Sequence, residues 1–160
     1  VRFTFFRRSA SKPYHERLRA LSLFQDLTTK ELDIVSSLLH EREYLEHEVL
    51  FDEGEEGHAI YIIMSGHVLI CRNSDPKKNL IADLGPGSFF GELALLTNAP
   101  RATQARAGSN CKVLVFFRDD FNNLMHTHVV IASKIGINLA RHVGVRLRES
   151  VVGRRVEQSL

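Results

Sequence analysis

Between Arg42 and Phe117 the sequence breaks into short β-rich runs set off by turn-forming residues, and that texture limits the fold more than any other feature. The runs are "EYLEHEVLF", "HAIYIIMSG", "HVLICRN", "NLIADL" and "CKVLVFF". Between them lie Gly54, Gly57, Gly66, the "NSDPKKN" loop from Asn73 to Asn79, and Gly85-Pro86-Gly87. Many short strands at close, regular spacing build an antiparallel sandwich or jelly roll. No sequence repeat stands out.

Helical signals flank this β region. A short amphipathic segment around Pro13 to Leu23 brings Leu18, Leu21 and Leu23 near one another. Thr28 and Glu31 form a capping box, with Leu32, Val35, Leu38 and Leu39 following at helical spacing. After Phe117, Asp119 and Asp120 suit a helix start, where the macrodipole favours negative charge. From Val129 to Arg148 the residues Ile131, Ile135, Leu139, Val143 and Leu147 recur every four positions as one slowly drifting stripe. Gly136 and Gly144 each weaken that helix by roughly 1 kcal/mol relative to alanine and are expected where it bends or packs closely. The division expected is a linker or extension over 1–11, one domain over 12–150 and a fraying tail over 151–160.

The 160 residues fit one domain, and 44% hydrophobic with 25% charged residues excludes wholesale disorder. A formal charge of +2 is too small to mark a nucleic-acid binder by itself. Cys71 and Cys111 cannot supply a four-thiolate cluster or a disulfide framework, and both fall in strand-like runs as packed, reduced thiols. No apolar run approaches the ~20 residues of a membrane span, and a cytoplasmic address is the default expectation. The first residue is Val rather than Met, and "VRFTFFRRSASK" is basic and acid-free, the expectation for a linker leaving some upstream element.

The stretch "FFGELALLTNAPRATQARA", Phe89 to Ala107, carries the chemistry. Gly85, Gly87 and Gly91 permit close backbone approach to a ligand. Glu92 to Leu96 have helical propensity but reach only about one turn before Asn98 and Pro100 stop them. The N–H groups opening such a turn suit an anion. Arg101 returns nine positions after Glu92, and its guanidinium can hold two phosphate oxygens at once. A carboxylate in the same cavity needs a donor, and a ribose hydroxyl is a good one. Either Glu92 and Arg101 pair with each other beside a tight turn, or together they hold a small anion that also carries hydroxyls.

The order Phe90-Gly91-Glu92-Leu93-Ala94-Leu95, then Pro100-Arg101-Ala102, closely resembles the phosphate-binding cassette of cyclic-nucleotide-binding domains. The resemblance runs from about Leu23 to Leu147. It implies an α+β fold, an eight-stranded antiparallel β-roll of jelly-roll type with N-terminal helices and a long C-terminal helix. It also implies that Arg101 binds the cyclic phosphate and Glu92 accepts the ribose 2′-hydroxyl. Gly91, Leu93 and Ala94 would then line the sugar and phosphate with their backbone, and Ala102 with Thr103 would supply donors beside the phosphate. Arg141 or His142 would cap the purine from the last helix. Two departures stand out. Members often carry a small hydroxyl residue where Gln104 stands. Members favouring cyclic GMP often have Thr or Ser directly after the arginine, where this sequence has Ala102, which tilts the ligand toward cyclic AMP with cyclic GMP as the alternative.

The function implied is a non-catalytic sensor, in a bacterial signalling protein, whose C-terminal helix moves to regulate an attached or partner channel, transporter or enzyme. The competing assignment is a binding-incompetent β-roll kept as an interaction or dimerisation scaffold, with a dimer through the C-terminal helix possible in either case. His126 and His128 form a His-x-His pair, but no third ligand accompanies them at a recognisable spacing, and no metal is expected. Glu92 with Glu53 or Asp83 would make an acid/base pair only if the fold brought them together, and no nucleophile has a visible partner. Arg141, Arg146, Arg148, Arg154 and Arg155 read as a solvated helix face. Too few residues follow Arg148 for a DNA-reading domain within the chain, so no direct nucleic-acid binding is expected.

Overall fold

The computed structural model describes residues 12–72 and 76–157, with side chains over 13–72 and 76–151. The expected linker over 1–11, the start of the "NSDPKKN" loop, the end of the tail and the side chains of Arg154 and Arg155 lie outside those residues.

Helix α1 (Lys12–Arg19) leads through a series of turns into α2 (Thr29–Ser36). The capping box is present: the Glu31 N–H donates to Thr28 Oγ1 and the Thr28 N–H donates to Glu31 Oε2, at 3.4 and 2.7 Å. The helix stops before the Leu38 and Leu39 that its spacing seemed to include. The hydroxyls of Ser36 and Ser37 donate to the carbonyls of Asp33 and Ile34, offering the backbone an alternative to the helical ladder. Leu39 instead opens the first strand.

The strands are β1 (Leu39–Tyr44), β2 (Val49–Phe51), β3 (Ala59–Ser65), β4 (Val68–Cys71), β5 (Leu80–Leu84), β6 (Phe89–Phe90), β7 (Gln104–Ala107) and β8 (Cys111–Phe117). The run "EYLEHEVLF" is therefore not one strand. His47 turns the chain at a φ of 72°, and the Glu48 carboxylate accepts the Leu45 N–H across the turn. The strands form two four-stranded antiparallel sheets, ordered β1-β8-β3-β6 and β2-β7-β4-β5. A one-turn helix α3 (Leu93–Leu96) interrupts the path from β6 to β7. Helices α4 (Arg118–Thr127) and α5 (Val129–Glu157) follow β8, and Asp119 with Asp120 occupy the first turn of α4. The chain is thus the α+β β-roll with flanking helices that its sequence implies. Val151–Glu157, set apart above as a tail, continue α5.

Two apolar cores share one sheet. Side chains alternate across a strand, so a strand buried on both faces must be apolar throughout. In β3, Ile60 and Ile62 pack with the helices, while Ala59, Tyr61 and Ile63 point between the sheets. In β8, Leu114 and Phe116 take the helical side, and Val113 and Val115 the inner side. That is why "AIYII" and "VLVFF" show no polar alternation. The shortest strand obeys the same rule, with Phe89 in the helical core and Phe90 in the roll. Cys71 and Cys111 are buried on β4 and β8, and neither forms a disulfide.

Helix α5 is held along its first half. Ile131, Ala132, Ile135 and Leu139 are buried, the Asn138 amide donates to the Leu23 carbonyl, and Lys134 grips both carboxylate oxygens of Glu31 at 2.8 and 3.0 Å. Beyond His142 the core contact thins, and Val145, Leu147 and Val151 are exposed. Leu147 departs from the expected stripe. A step of four in a helix of 3.6 residues per turn rotates about 40°, so four such steps carry Leu147 to nearly the opposite side from Ile131. The inward row instead runs through Ile131, Ile135, Asn138, Leu139 and His142 toward Arg146. Neither Gly136 nor Gly144 sits at a close contact, since nothing lies within 4 Å of where a Cβ would stand.

Candidate ligand-binding site

Gly91 fixes the geometry at the start of the cassette. Its φ is +73°, which strains any residue with a Cβ, and a Cβ there would lie 2.5 Å from Nη1 of Arg101, so the guanidinium would have to shift. Gly57, in the β2–β3 connection, is required for a different reason: a Cβ would meet Ala94 Cβ at 2.9 Å. The backbone of Arg101 is clamped to the same connection. Its N–H donates to the Glu55 carbonyl at 2.7 Å, and its carbonyl accepts the Gly54 N–H at 2.8 Å.

The Arg101 guanidinium points inward and is only 9% exposed as a residue. Nη1 donates to the Gly91 carbonyl at 3.1 Å and Nη2 to the Ala59 carbonyl at 2.8 Å. Its Cζ stands 4.1 Å from the ring centroid of Phe51 and 5.7 Å from that of Tyr61, within cation–π range. Phe51, Tyr61 and Phe90 form one aromatic group, the last two stacked at 5.5 Å. Burial pulls the Arg101 pKa below its ordinary value, partly offset by the nearby Tyr61, Glu55 and Glu92. Among the described residues no carboxylate lies within ion-pair distance of this guanidinium, and its buried Nε has no hydrogen-bond partner. A desolvated cation with an unmatched donor fits an anion.

Glu92 is also buried, but it does not pair with Arg101. Its Oε1 accepts from Nη1 of Arg146 on α5 at 2.9 Å. The first of the two possibilities left by the sequence, mutual neutralisation of Glu92 and Arg101, is therefore not what the fold builds. The turn of α3 uses the Ala94 and Leu95 N–H groups internally, on the carbonyls of Gly91 and Glu92.

Phe90, Gly91, Glu92, Leu93, Ala94, Pro100, Arg101, Ala102 and Thr103 line one cavity of about 170 Å³. Phe51, Ile70, Ile81, Ala99 and Arg146 complete its wall. The aliphatic residues and Phe51 give it an apolar side, while Glu92, Arg101 and Arg146 are its charged members among the described residues. Gln104 stays outside: it is 2% exposed, and its amide is held by Asp52, Cys71 and Arg106.

The two residues expected to cap a purine do not border this cavity. Arg141 lies on the outer side, with Asn138 and Asp26 at 3.0 and 3.6 Å. His142 packs on the Phe89 ring at 4.0 Å and lines a second cavity, of about 440 Å³, with Ser22, Ser88, Arg146 and Glu149. The α5 residue that does reach the first cavity is Arg146, grouped above with a solvated face. Its signal was present, since it lies four residues after His142 on the inward row, but a stripe drawn from apolar residues alone passes it by. His126 and His128 sit in the last turn and at the C-terminal cap of α4, and no group of three or more His, Cys, Asp or Glu able to hold a metal occurs among the described residues.

Comparison with known proteins agrees with this geometry. The family profile that matches is that of the cyclic nucleotide-binding domain, over residues 41–128. Over 134 residues, 83% of the chain, it is 32% identical to the cyclic AMP receptor protein of Thermus thermophilus. It is 37% identical over 97 residues, 60% of the chain, to a cAMP-dependent protein kinase regulatory subunit of Mycosarcoma maydis. The chain spans 60% of the first relative's length and 18% of the second's. Among solved structures, the regulatory domain of Toxoplasma gondii PKA in co-crystal with cAMP superposes with a TM-score of 0.62 at 35% identity, covering 71% of this chain and 45% of that one. With a profile match over more than half its residues and a β-roll that places the matching cassette around one cavity, the chain belongs to the cyclic nucleotide-binding domain family.

Proposed function

We propose that the cavity binds a cyclic nucleotide, cyclic AMP in preference to cyclic GMP, and that binding acts without catalysis through α5 on an attached or partner effector. The observation that carries this is the buried Arg101 guanidinium, which has no carboxylate counter-charge among the described residues and shares a cavity with a carboxylate held elsewhere. Closing a phosphate onto O3′ and O5′ leaves one negative charge and a free 2′-hydroxyl. Arg101 suits the first and Glu92 the second. Phe90, Gly91, Leu93, Ala94 and Pro100 shape the walls between them, with Ala102 and Thr103 beside the phosphate. The printed names of the relatives, a cyclic AMP receptor protein and a regulatory domain crystallised with cAMP, support the same ligand. Ala102, directly after Arg101, offers no hydroxyl to a guanine amino group, which supports the adenine ligand.

Among the described residues Glu92 is the only carboxylate lining the cavity, and it is tied to Arg146, which supports binding rather than acid/base chemistry. No helix among the described residues is long and apolar enough to cross a membrane, and we place the domain in the cytoplasm of a bacterial cell, regulating a channel, transporter or enzyme. A second copy is a further partner. Val130, Ile137, Gly144 and Val151 recur on the exposed side of α5 at heptad spacing, opposite the row that packs on the roll.

Thermal-shift titration with cyclic AMP, cyclic GMP, cyclic-di-GMP and AMP tests the assignment. Cyclic AMP is expected to raise the midpoint most and AMP least. No shift with either cyclic mononucleotide would leave the β-roll as an interaction or dimerisation scaffold.

A further inference from the structure

Glu92 is the acid assigned to the ligand, yet its ion-pair partner comes from outside the cassette. Arg146 reaches from α5 to Oε1 at 2.9 Å, with the Glu92 side chain 10% exposed and that of Arg146 43%. The contact uses one oxygen only. No hydrogen bond to Oε2 occurs among the described residues, although a carboxylate has acceptor sites on both oxygens. The other nearby cation is committed: Arg101 gives its two terminal nitrogens to the carbonyls of Gly91 and Ala59.

Arg146 could stand toward a bound nucleotide as a competitor for Glu92 or as its support. The geometry decides between them. A ribose hydroxyl needs one acceptor site, and Oε2 supplies it while Oε1 keeps the guanidinium. Displacing Arg146 would leave the Glu92 carboxylate, itself only 10% exposed, without the cation that answers it. A neutral hydroxyl that can have Oε2 without that loss has no reason to take Oε1. Arg146 also borders the same cavity, at its junction with the second one. We propose that Arg146 is a positioning residue of the ligand site: by holding Oε1 it turns Oε2 toward the 2′-hydroxyl and so sets the preference for ribo over 2′-deoxy ligand. This rests on the cyclic-nucleotide assignment above.

A residue that merely closed the cavity would affect both ligands alike, so the ratio of affinities is the diagnostic quantity. Isothermal titration of cyclic AMP and 2′-deoxy cyclic AMP is measured on the unaltered chain, Arg146→Ala, Arg146→Lys, Glu92→Gln and the Arg146→Ala/Glu92→Gln double variant. Arg146→Ala is expected to lower the ribo-to-deoxy ratio by ~3-fold or more, the scale of coupling between contacting residues. Arg146→Lys, which keeps the charge and guards against a folding defect in the alanine variant, is expected to retain most of the ratio. On the Glu92→Gln background, Arg146→Ala is expected to leave the ratio where it was. An unchanged ratio in Arg146→Ala with both affinities reduced, or tighter binding of cyclic AMP, overturns the proposal while leaving the ligand assignment intact. An unaltered chain that binds neither nucleotide overturns both.

Discussion

On the proposed assignment affinity rests first on Arg101, whose charge is desolvated with no carboxylate in ion-pair distance among the described residues. Arg101→Ala is expected to weaken cyclic AMP binding ~30-fold or more by calorimetry, and unchanged affinity would remove it from the site. Gly91→Ala tests the backbone beneath it. A left-handed conformation costs a residue with a Cβ about 1–2 kcal/mol, and here the added carbon also meets Nη1. A lowered melting midpoint together with lost nucleotide binding is expected; loss of stability alone would separate the glycine from the guanidinium. The opposite charges of Glu92 and Arg101 were legible in the sequence because so few other charges interrupt an apolar stretch. Their partners were not. Spacing alone left a Glu92–Arg101 pair open, and only the fold brings Arg146 across from α5, 54 residues away in the chain.

Among the elements, α5 has two halves with different anchorage. The first is fixed by Ile131, Ile135, Leu139 and the Lys134–Glu31 pair; in the second, His142 and Arg146 face the roll while Val145, Leu147 and Val151 are exposed. His142 makes that joint sensitive to pH. Burial pulls its pKa below the ordinary 6.5, with Glu92 and Glu149 opposing the shift and Arg146 adding to it. As pH falls through about 6.5 the unfolded chain takes up a proton that the folded imidazole still refuses, so stability drops with falling pH in that window. His142→Gln is expected to flatten that part of a plot of melting midpoint against pH, and an unaltered slope would assign it to another group. The longer elements could be read from pattern: β3 and β8 as continuous apolar runs, α2 from its capping box, α4 from its acidic first turn. Strand β6 could not, because two residues have no period. The end of α2 was misplaced because two serines, not the apolar row, terminate it.

For the whole molecule, a cyclic nucleotide that binds only the folded state at 100 times its Kd adds about 2.7 kcal/mol of stability, a shift readily seen by scanning calorimetry. Ile137→Glu tests the second-copy partner, since it places a charge on the outer row of α5 without touching the cavity. It is expected to move the chain toward monomer in sedimentation, and an unchanged distribution would place any dimer contact elsewhere. One further consequence follows from Phe89 and Phe90 being adjacent residues that face different cores. Phe90 belongs to the wall of the ligand cavity, and Phe89 bears on the His142 ring of α5. The two rings project to opposite faces of a two-residue strand. A displacement of that strand as a whole would therefore be felt at the cavity wall and at α5 together.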